Sequence, residues 1–402
     1  MAEEKKTVYL DYNATTPYDP AVQQSMITAL SQWGNPSSSY KRGKIAKEVV
    51  EKSRESVANM IGALASEIIF MSGGTEANNT AIRTVIREWK RAERKPHIIS
   101  TKIEHDATLK LLEFLLEENE IRVTFLPTNS DGSVDPELVG SSVEEDTVLV
   151  TLMLANNETG SLLDLKHLCN VLKEKNQERT DRGLGRIHLH IDAAQALGKI
   201  PVSVVETPVD YLTIVGHKFY GPRIGALYVK EGLPLHPLIR GGGQEKRRRP
   251  GTENTVCIAG LGEAAKLVTE NLAEYNAHLR RMKDHLREAL LKEFPKGTCV
   301  INFPETREHH QLPNTLSVSF PGLSGNRILA NCPDLEASTG AACHSSANCN
   351  SASAMLLTLL PEEQAIGTMR LSVGRETTVE ELDLAVKYLR EAVDKMKSSS
   401  FS

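Results

Sequence analysis

The sequence predicts an α/β fold, in which a large domain with a mainly parallel sheet is joined to a smaller α+β domain at the C-terminal end. Three observations predict it. Between about residues 45 and 230, short apolar runs alternate with amphipathic stretches of helical period, as in successive strand–helix units. The run 148–154 is apolar at nearly every position, which suits a strand covered on both faces. Beyond residue 258 the pattern changes to one long amphipathic stretch, followed by strand-like and helix-like segments of a different order.

Taken in order, the periodicity predicts a helix over 48–61, a strand at 68–71, and a helix over 76–91 after a glycine-rich turn. Next come a strand at 98–101, a helix over 108–118, strands at 123–126 and 148–154, and a helix over 165–180. Strands at 187–191, 211–215 and 225–229 complete the first region. The stretch 258–294 carries Leu261, Ala265, Val268 and Leu272 at helical spacing and reads as a helix linking two domains. Strand-like 314–320, a Ser-, Ala- and Asn-rich loop at 337–354, strand-like 369–373 and a helix from 378 to about 396 follow. Thr377 or Thr378 ahead of Glu380 and Glu381 suits that last helix start, and 398–402 are expected to be loose. The expected division is a large domain at 17–258 and a small one from 1–16 and 259–402 that carries the loop.

With 402 residues and a formal net charge of −5, the chain gives no sign of a nucleic-acid or membrane-surface binder. It has no run of 18 apolar residues, and its N-terminus lacks the apolar core of a signal peptide, so a cytosolic location is expected. Six scattered cysteines with no CxxC pair argue against a disulfide framework or a structural zinc site. His188 and His190 stand two apart on a strand and could face one metal, but no matching Cys or carboxylate accompanies them. Packing is the expected role, and no metal is expected.

Three segments carry chemistry. Ser72-Gly73-Gly74-Thr75-Glu76 joins a strand to a helix, where free N–H groups and the helix dipole favour an anion; a plain tight turn would use the same glycines. Asp192 ends a strand, where open α/β sheets bind ligands; a lone Asp there also serves as a cap. Lys218 lies among aromatic, Gly and Pro residues in Gly216-His217-Lys218-Phe219-Tyr220-Gly221-Pro222, a setting that would depress its pKa and free its amine for Schiff-base chemistry. A surface lysine beside a turn is the plain alternative. Together the three supply an anion cradle, a carboxylate and an amine, the needs of a pyridoxal 5′-phosphate site.

The motifs extend along almost the whole chain: DYNATTP from Asp11, GNPSS from Gly34, SGGTEANN from Ser72, EHDA from Glu104 and NNETG from Asn156. HIDAAQALGK from His190, GHKFYGP from Gly216, GGGQE from Gly241, RPGTEN from Arg249 and STGAACHS from Ser338 continue the series. In these the chain resembles the NifS-like branch of fold-type I pyridoxal-phosphate enzymes, the cysteine desulfurases and selenocysteine lyases. The resemblance implies that Lys218 forms the internal aldimine and later moves the Cα proton, that Asp192 pairs with the ring nitrogen, that Gln195 bonds the phenolic oxygen, and that His105 stacks on the ring. It also implies that Gly74, Thr75 and His217 hold the phosphate, with Thr252 reaching in from the second subunit of a homodimer. Asn157 and Arg370 are implied for the substrate carboxylate, and Cys343 for the bond to selenium or sulfur.

Some positions depart from that pattern. Val215 stands where such enzymes often carry a phosphate-binding Ser, for which Thr213 or a backbone N–H is a candidate substitute. Lys246 replaces a frequent Arg, and Thr339 a frequent Val or Ser. Cys169 and Cys257 lie in apolar helical context and read as small buried hydrophobes, and Cys349 as incidental. Asp106 follows His105 where desulfurases usually have Lys and the selenocysteine-cleaving branch has Asp. A carboxylate there would raise the Cys343 pKa and blunt its attack on sulfur; as a helix cap it would look the same. The expected reaction converts L-selenocysteine to L-alanine and selenide, with L-cysteine desulfuration through a Cys343 persulfide as the alternative. An acceptor protein for selenide or sulfur is a further implied partner.

Overall fold

The computed structural model describes residues 6–89, 94–303, 310–339 and 352–399; Cys343, Cys349 and the rest of 340–351 lie outside the described residues. In chain order the first elements are β1 (Val8–Tyr9), α1 (Pro20–Leu30), α2 (Lys41–Ile61), β2 (Ile68–Met71), α3 (Gly74–Glu88), β3 (His97–Thr101), α4 (Asp106–Glu117) and β4 (Arg122–Leu126). They are followed by α5 (Pro136–Ser141), β5 (Thr147–Met153), α6 (Leu165–Asp181), β6 (His188–Asp192), β7 (Tyr211–Val215) and β8 (Gly225–Val229). The long α7 (Thr255–Glu293) leads to β9 (Val300–Ile301), β10 (Thr315–Ser319), α8 (Gly325–Ala330) and β11 (Leu335–Glu336). Last come α9 (Ala354–Leu359), α10 (Glu362–Ile366), β12 (Thr368–Ser372) and α11 (Val379–Ser399).

Seven strands form one sheet in the order β2-β8-β7-β6-β5-β3-β4. All neighbours pair in parallel except at β8, which runs against both β7 and β2. Every residue of β5 is buried, because helices cover both sheet faces and leave no polar side to the strand. As in other open parallel sheets, the carboxyl ends of β2, β3, β5, β6 and β7 then open on one edge, with a functional loop after each.

Helix α7 spans two apolar cores. Its first part, from Ile258 to Val268, packs with the large sheet, while Leu279, Met282, Leu286 and Leu290 join a second core with β10, β12 and α11. The second core rests on a three-stranded antiparallel sheet, β12-β10-β9. The N-terminal β1 pairs with β11, and Ser372 N–H bonds the Leu10 carbonyl at 2.7 Å, so the start of the chain is stitched to its end.

Some boundaries differ from expectation. Helix α1 has no counterpart in the sequence reading because only Val22 and Ala29 are buried, too thin a stripe to reveal a period; Asp19 caps it through the Ala21 N–H at 2.9 Å. Helix α2 starts seven residues early, in a basic stretch, and stops at Gly62, whose φ of 72° suits glycine. At the start of α11, Thr378 and Glu381 bond each other's N–H groups, the reciprocal cap expected there. Ser398 and Ser399 belong to α11 rather than to a loose tail. His190 is a packing residue, its ring nitrogens 2.8 Å from Thr151 Oγ1 and 3.0 Å from Thr213 Oγ1. Burial pushes its pKa down to about 4. No helix among the described residues is long and apolar enough to cross a membrane.

Candidate active site

The loops after β2, β3, β5, β6 and β7 enclose a pocket of about 220 Å³ lined by Gly74, Thr75, Asn78, His105, Asn157, Asp192, Gln195, Val215, His217 and Lys218, among others. Eight of the ten residues named for cofactor or substrate binding therefore meet in one place. The other two, Thr252 and Arg370, lie elsewhere: Thr252 is exposed and outside this lining, and Arg370 lies at the pocket mouth, next to Asp106 and Glu158.

Gly73 and Gly74 open α3, where the first N–H groups have no intrahelical acceptor. A Cβ at Gly74 would lie 2.6 Å from Val215 Cγ2, so glycine is required for β7 to approach the helix start. Thr213 does not substitute for the missing serine at 215, because its hydroxyl is the partner of His190 Nε2 inside the sheet. Glu76 accepts the Ser72 N–H at 2.6 Å and also holds Arg249 at 3.0 Å, which ties the loop bearing Thr252 to the helix start.

At the end of β6, Asp192 accepts Asn78 Nδ2 at 2.8 Å and the Ala194 N–H at 3.0 Å. The second contact is the local cap; the first comes from α3 and fixes the carboxylate from outside its own loop. Asn78 also donates to Thr108 Oγ1 at 3.0 Å, while its own Oδ1 is buried with no partner among the described residues. Gln195 donates to the Asn13 carbonyl at 3.0 Å and accepts from Lys199 at 2.7 Å.

Lys218 Nζ donates to the carbonyls of Asn13 and Ala14 at 2.7 and 2.8 Å. The N-terminal DYNATTP segment thus forms a wall of the pocket, a role the sequence did not assign to it. Asn13 is its hub: its side chain meets Thr315 (2.8 Å), Lys199 (2.9 Å), Asn314 (3.0 Å) and the Asn157 carbonyl (3.3 Å). Beside Lys218, His217 Nδ1 lies 3.1 Å from Thr15 Oγ1. Burial, reinforced by Lys218 and Arg223, lowers the His217 pKa to about 4, so its ring is neutral near pH 7.

His105, and not Asp106, caps α4: its Nδ1 accepts the Ala107 N–H at 3.1 Å, which leaves any ring proton on Nε2 while the imidazole is neutral. Asp106 is the first residue of the helix, where its charge suits the dipole, and it lies at the mouth with Lys102, Glu158, Ser353 and Arg370. Glu158 is raised to about 7, mainly by burial, with Asp106 adding to the shift. Arg370, buried on β12, pairs with Asp11 and donates to the Asn157 carbonyl at 2.8 Å, while its Nε has no acceptor among the described residues. Ser338 exchanges backbone hydrogen bonds with Arg370, and Ser353 lines the mouth, so both flanks of the segment that contains Cys343 stand at this opening. Cys169, Cys299 and Cys332 are buried, with pKa values raised to about 11, 12 and 11, and are poor nucleophiles; Cys257 is half-buried rather than buried.

These residues fit pyridoxal 5′-phosphate. The start of α3 offers N–H groups without intrahelical acceptors to a phosphate, the Asp192 carboxylate can face a protonated ring nitrogen, and the Lys218 amine shares the pocket with both. Among the described residues the buried Asn78 Oδ1 and Arg370 Nε have no hydrogen-bond partner.

Residues 8–384 match the family Aminotransferase class-V. The chain is 45% identical to the selenocysteine lyase of Homo sapiens, over 98% of this chain and 94% of that protein. With the selenocysteine lyase of Xenopus tropicalis it shares 45% over 96% and 93%, and with the cysteine desulfurase IscS of Methanosarcina thermophila 37% over 100% and 95%. The fold superposes on a solved NifS-like protein with a TM-score of 0.86 at 34% identity, covering 97% of this chain and all of that one. The chain belongs to the aminotransferase class-V family, in the NifS-like branch of pyridoxal-phosphate enzymes.

Proposed function

We propose that this protein converts L-selenocysteine and a reductant to L-alanine and selenide. The observation that carries the reading is the meeting of the Lys218 amine, the Asp192 carboxylate and the glycine start of α3 in one pocket. Pyridoxal phosphate, when bound, supplies an aldehyde for the substrate amine and a ring that spreads the charge left when the substrate Cα loses its proton. Lys218 is the amine for that aldehyde and then the base for the Cα proton. Asp192, held by Asn78 and the Ala194 N–H, keeps a proton at the ring nitrogen. His105 would stack on the ring, and Gly74, Thr75 and neutral His217 would hold the phosphate, with Thr252 contributed by the second subunit of a homodimer. Asn157 and Arg370, which line the same opening, would receive the substrate carboxylate.

Selenium is favoured over sulfur by Asp106. A carboxylate at the mouth raises the pKa of acids around it, as at Glu158, and would keep the Cys343 thiol protonated. A selenol ionises more readily than a thiol, so selenium release depends less on thiolate attack by Cys343. The higher identity to selenocysteine lyases than to IscS points the same way. The second reading, favoured by the IscS likeness, is desulfuration of L-cysteine through a Cys343 persulfide passed to an acceptor protein. Residues 17–258 would then form the cofactor domain and 1–16 with 259–402 the smaller one, in a cytosolic enzyme.

Steady-state turnover of both amino acids by one preparation tests the proposal, with Cys343→Ala and Cys343→Ser as controls. Faster selenide than sulfide release is expected; the reverse would reject the preference for selenium.

A further inference from the structure

Lys199 is a second amine close to the site, and the reaction as described has no use for it. Its side chain is buried, with 4% of the residue exposed, and among the described residues no carboxylate pairs with it. It donates instead to Gln195 Oε1 at 2.7 Å and Asn13 Oδ1 at 2.9 Å. Burial comes first and the cations Lys218 and Arg370 next in driving its pKa well below the usual lysine range. Both acceptors are side-chain amide oxygens, to which the Lys199 amine can only donate. A buried lysine with only amide partners is a costly way to fill space, which a methionine would fill without the desolvation penalty.

What the arrangement does is fix an orientation. The Gln195 amide has a carbonyl end and an NH2 end, and the pocket sees whichever its neighbours leave available. On one side stands the Lys199 amine with N–H groups to give; on the other, the Asn13 carbonyl, which can only accept and lies 3.0 Å from Gln195 Nε2. Both neighbours demand the same orientation, with the oxygen on Lys199 and the NH2 on Asn13. One N–H of that NH2 is used on Asn13, and the other remains for the pocket that Gln195 lines. The same Asn13 carbonyl also holds Lys218 Nζ at 2.7 Å, so the donor and the cofactor-bearing amine share an anchor.

We propose that Lys199 is a positioning residue that locks the Gln195 amide so that the pocket is offered an N–H donor rather than a carbonyl oxygen. This rests on the reading in which Lys218 carries pyridoxal phosphate and Gln195 faces its phenolic oxygen. A donor at that oxygen stabilises the phenolate and weakens its hold on the proton shared with the Lys218 nitrogen. Losing it raises the pH at which the bound chromophore gives up that proton.

The test is a spectrophotometric pH titration of holoenzyme, with circular dichroism as the check on folding. Lys199→Met, which removes the donors, is expected to raise the chromophore's titration midpoint by about one pH unit. Lys199→Gln, whose amide can still donate to Gln195, is expected to stay near the wild-type midpoint. Gln195→Glu presents only oxygens and is expected to shift upward like Lys199→Met, which keeps the test decisive if that variant does not fold. A folded, cofactor-loaded Lys199→Met or Gln195→Glu protein with the wild-type midpoint would overturn the proposal. Failure of the underlying reading looks different: the wild-type protein itself would then show no lysine-linked chromophore.

Discussion

The Arg370 guanidinium is shared between the Asp11 carboxylate and the Asn157 carbonyl, and its buried Nε has no acceptor among the described residues. Asp11 belongs to the N-terminal segment and Arg370 to β12, so this contact joins two segments far apart in sequence at the position we propose for the substrate carboxylate.

Arg370→Lys keeps the charge but loses the planar fork, including Nε. We expect kcat/KM for the amino acid to fall roughly 10- to 100-fold, or about 1.4–2.8 kcal/mol, mostly through KM. Steady-state kinetics at saturating cofactor check this; an unchanged KM would separate Arg370 from the substrate carboxylate.

Val215 places a methyl group, not a hydroxyl, against the start of α3. Val215→Ser adds a donor beside the phosphate cradle and is expected to tighten cofactor binding by about 1 kcal/mol, roughly fivefold. Gly74→Ala puts a Cβ 2.6 Å from Val215 Cγ2 and is expected to weaken binding by at least tenfold, about 1.4 kcal/mol. Equilibrium titration of apoprotein with pyridoxal phosphate measures both.

These two sites also illustrate what was legible in the sequence. Gly74, Asp192 and Lys218 could be picked out because each occupies the end of an apolar strand, and strand ends of a parallel sheet converge on one edge. The hub at Asn13 could not. Its partners Asn314, Thr315 and Ser372 lie more than 300 positions away, and no local period announces a contact between chain ends. The reversed strand β8 was similarly hidden, since an apolar run carries no direction. Asn78 and Lys199 stood inside quoted motifs, yet their spacing alone could not say that one braces Asp192 and the other Gln195.

Glu104 is fully enclosed, and burial first, then Asp192, pushes its pKa up to about 8. Its unfolded-state value is near the usual 4.5, so the folded apoprotein keeps a proton that the unfolded chain has released over the interval between. The stability this lends is complete below about pH 4.5 and disappears as pH rises through 8. Glu104→Gln removes the ionisation and is expected to be more stable than wild type above pH 8 by at least about 1 kcal/mol. Urea denaturation of apoprotein at pH 6 and pH 9 checks the sign.

Asp106→Lys replaces the carboxylate at the mouth with a cation, which would lower rather than raise the Cys343 pKa. Cysteine turnover is expected to rise severalfold relative to selenocysteine turnover. No gain on cysteine would count against the electrostatic account of selenium preference.

The central claim is that one amine, at position 218, holds the cofactor. Borohydride reduction of the loaded protein, followed by proteolysis and mass mapping, tests it directly. A single pyridoxyl adduct on Lys218, in the Gly216–Lys218 turn after β7, is expected. An adduct on Lys199 or any other lysine, or no adduct from a protein saturated with pyridoxal phosphate, would contradict it.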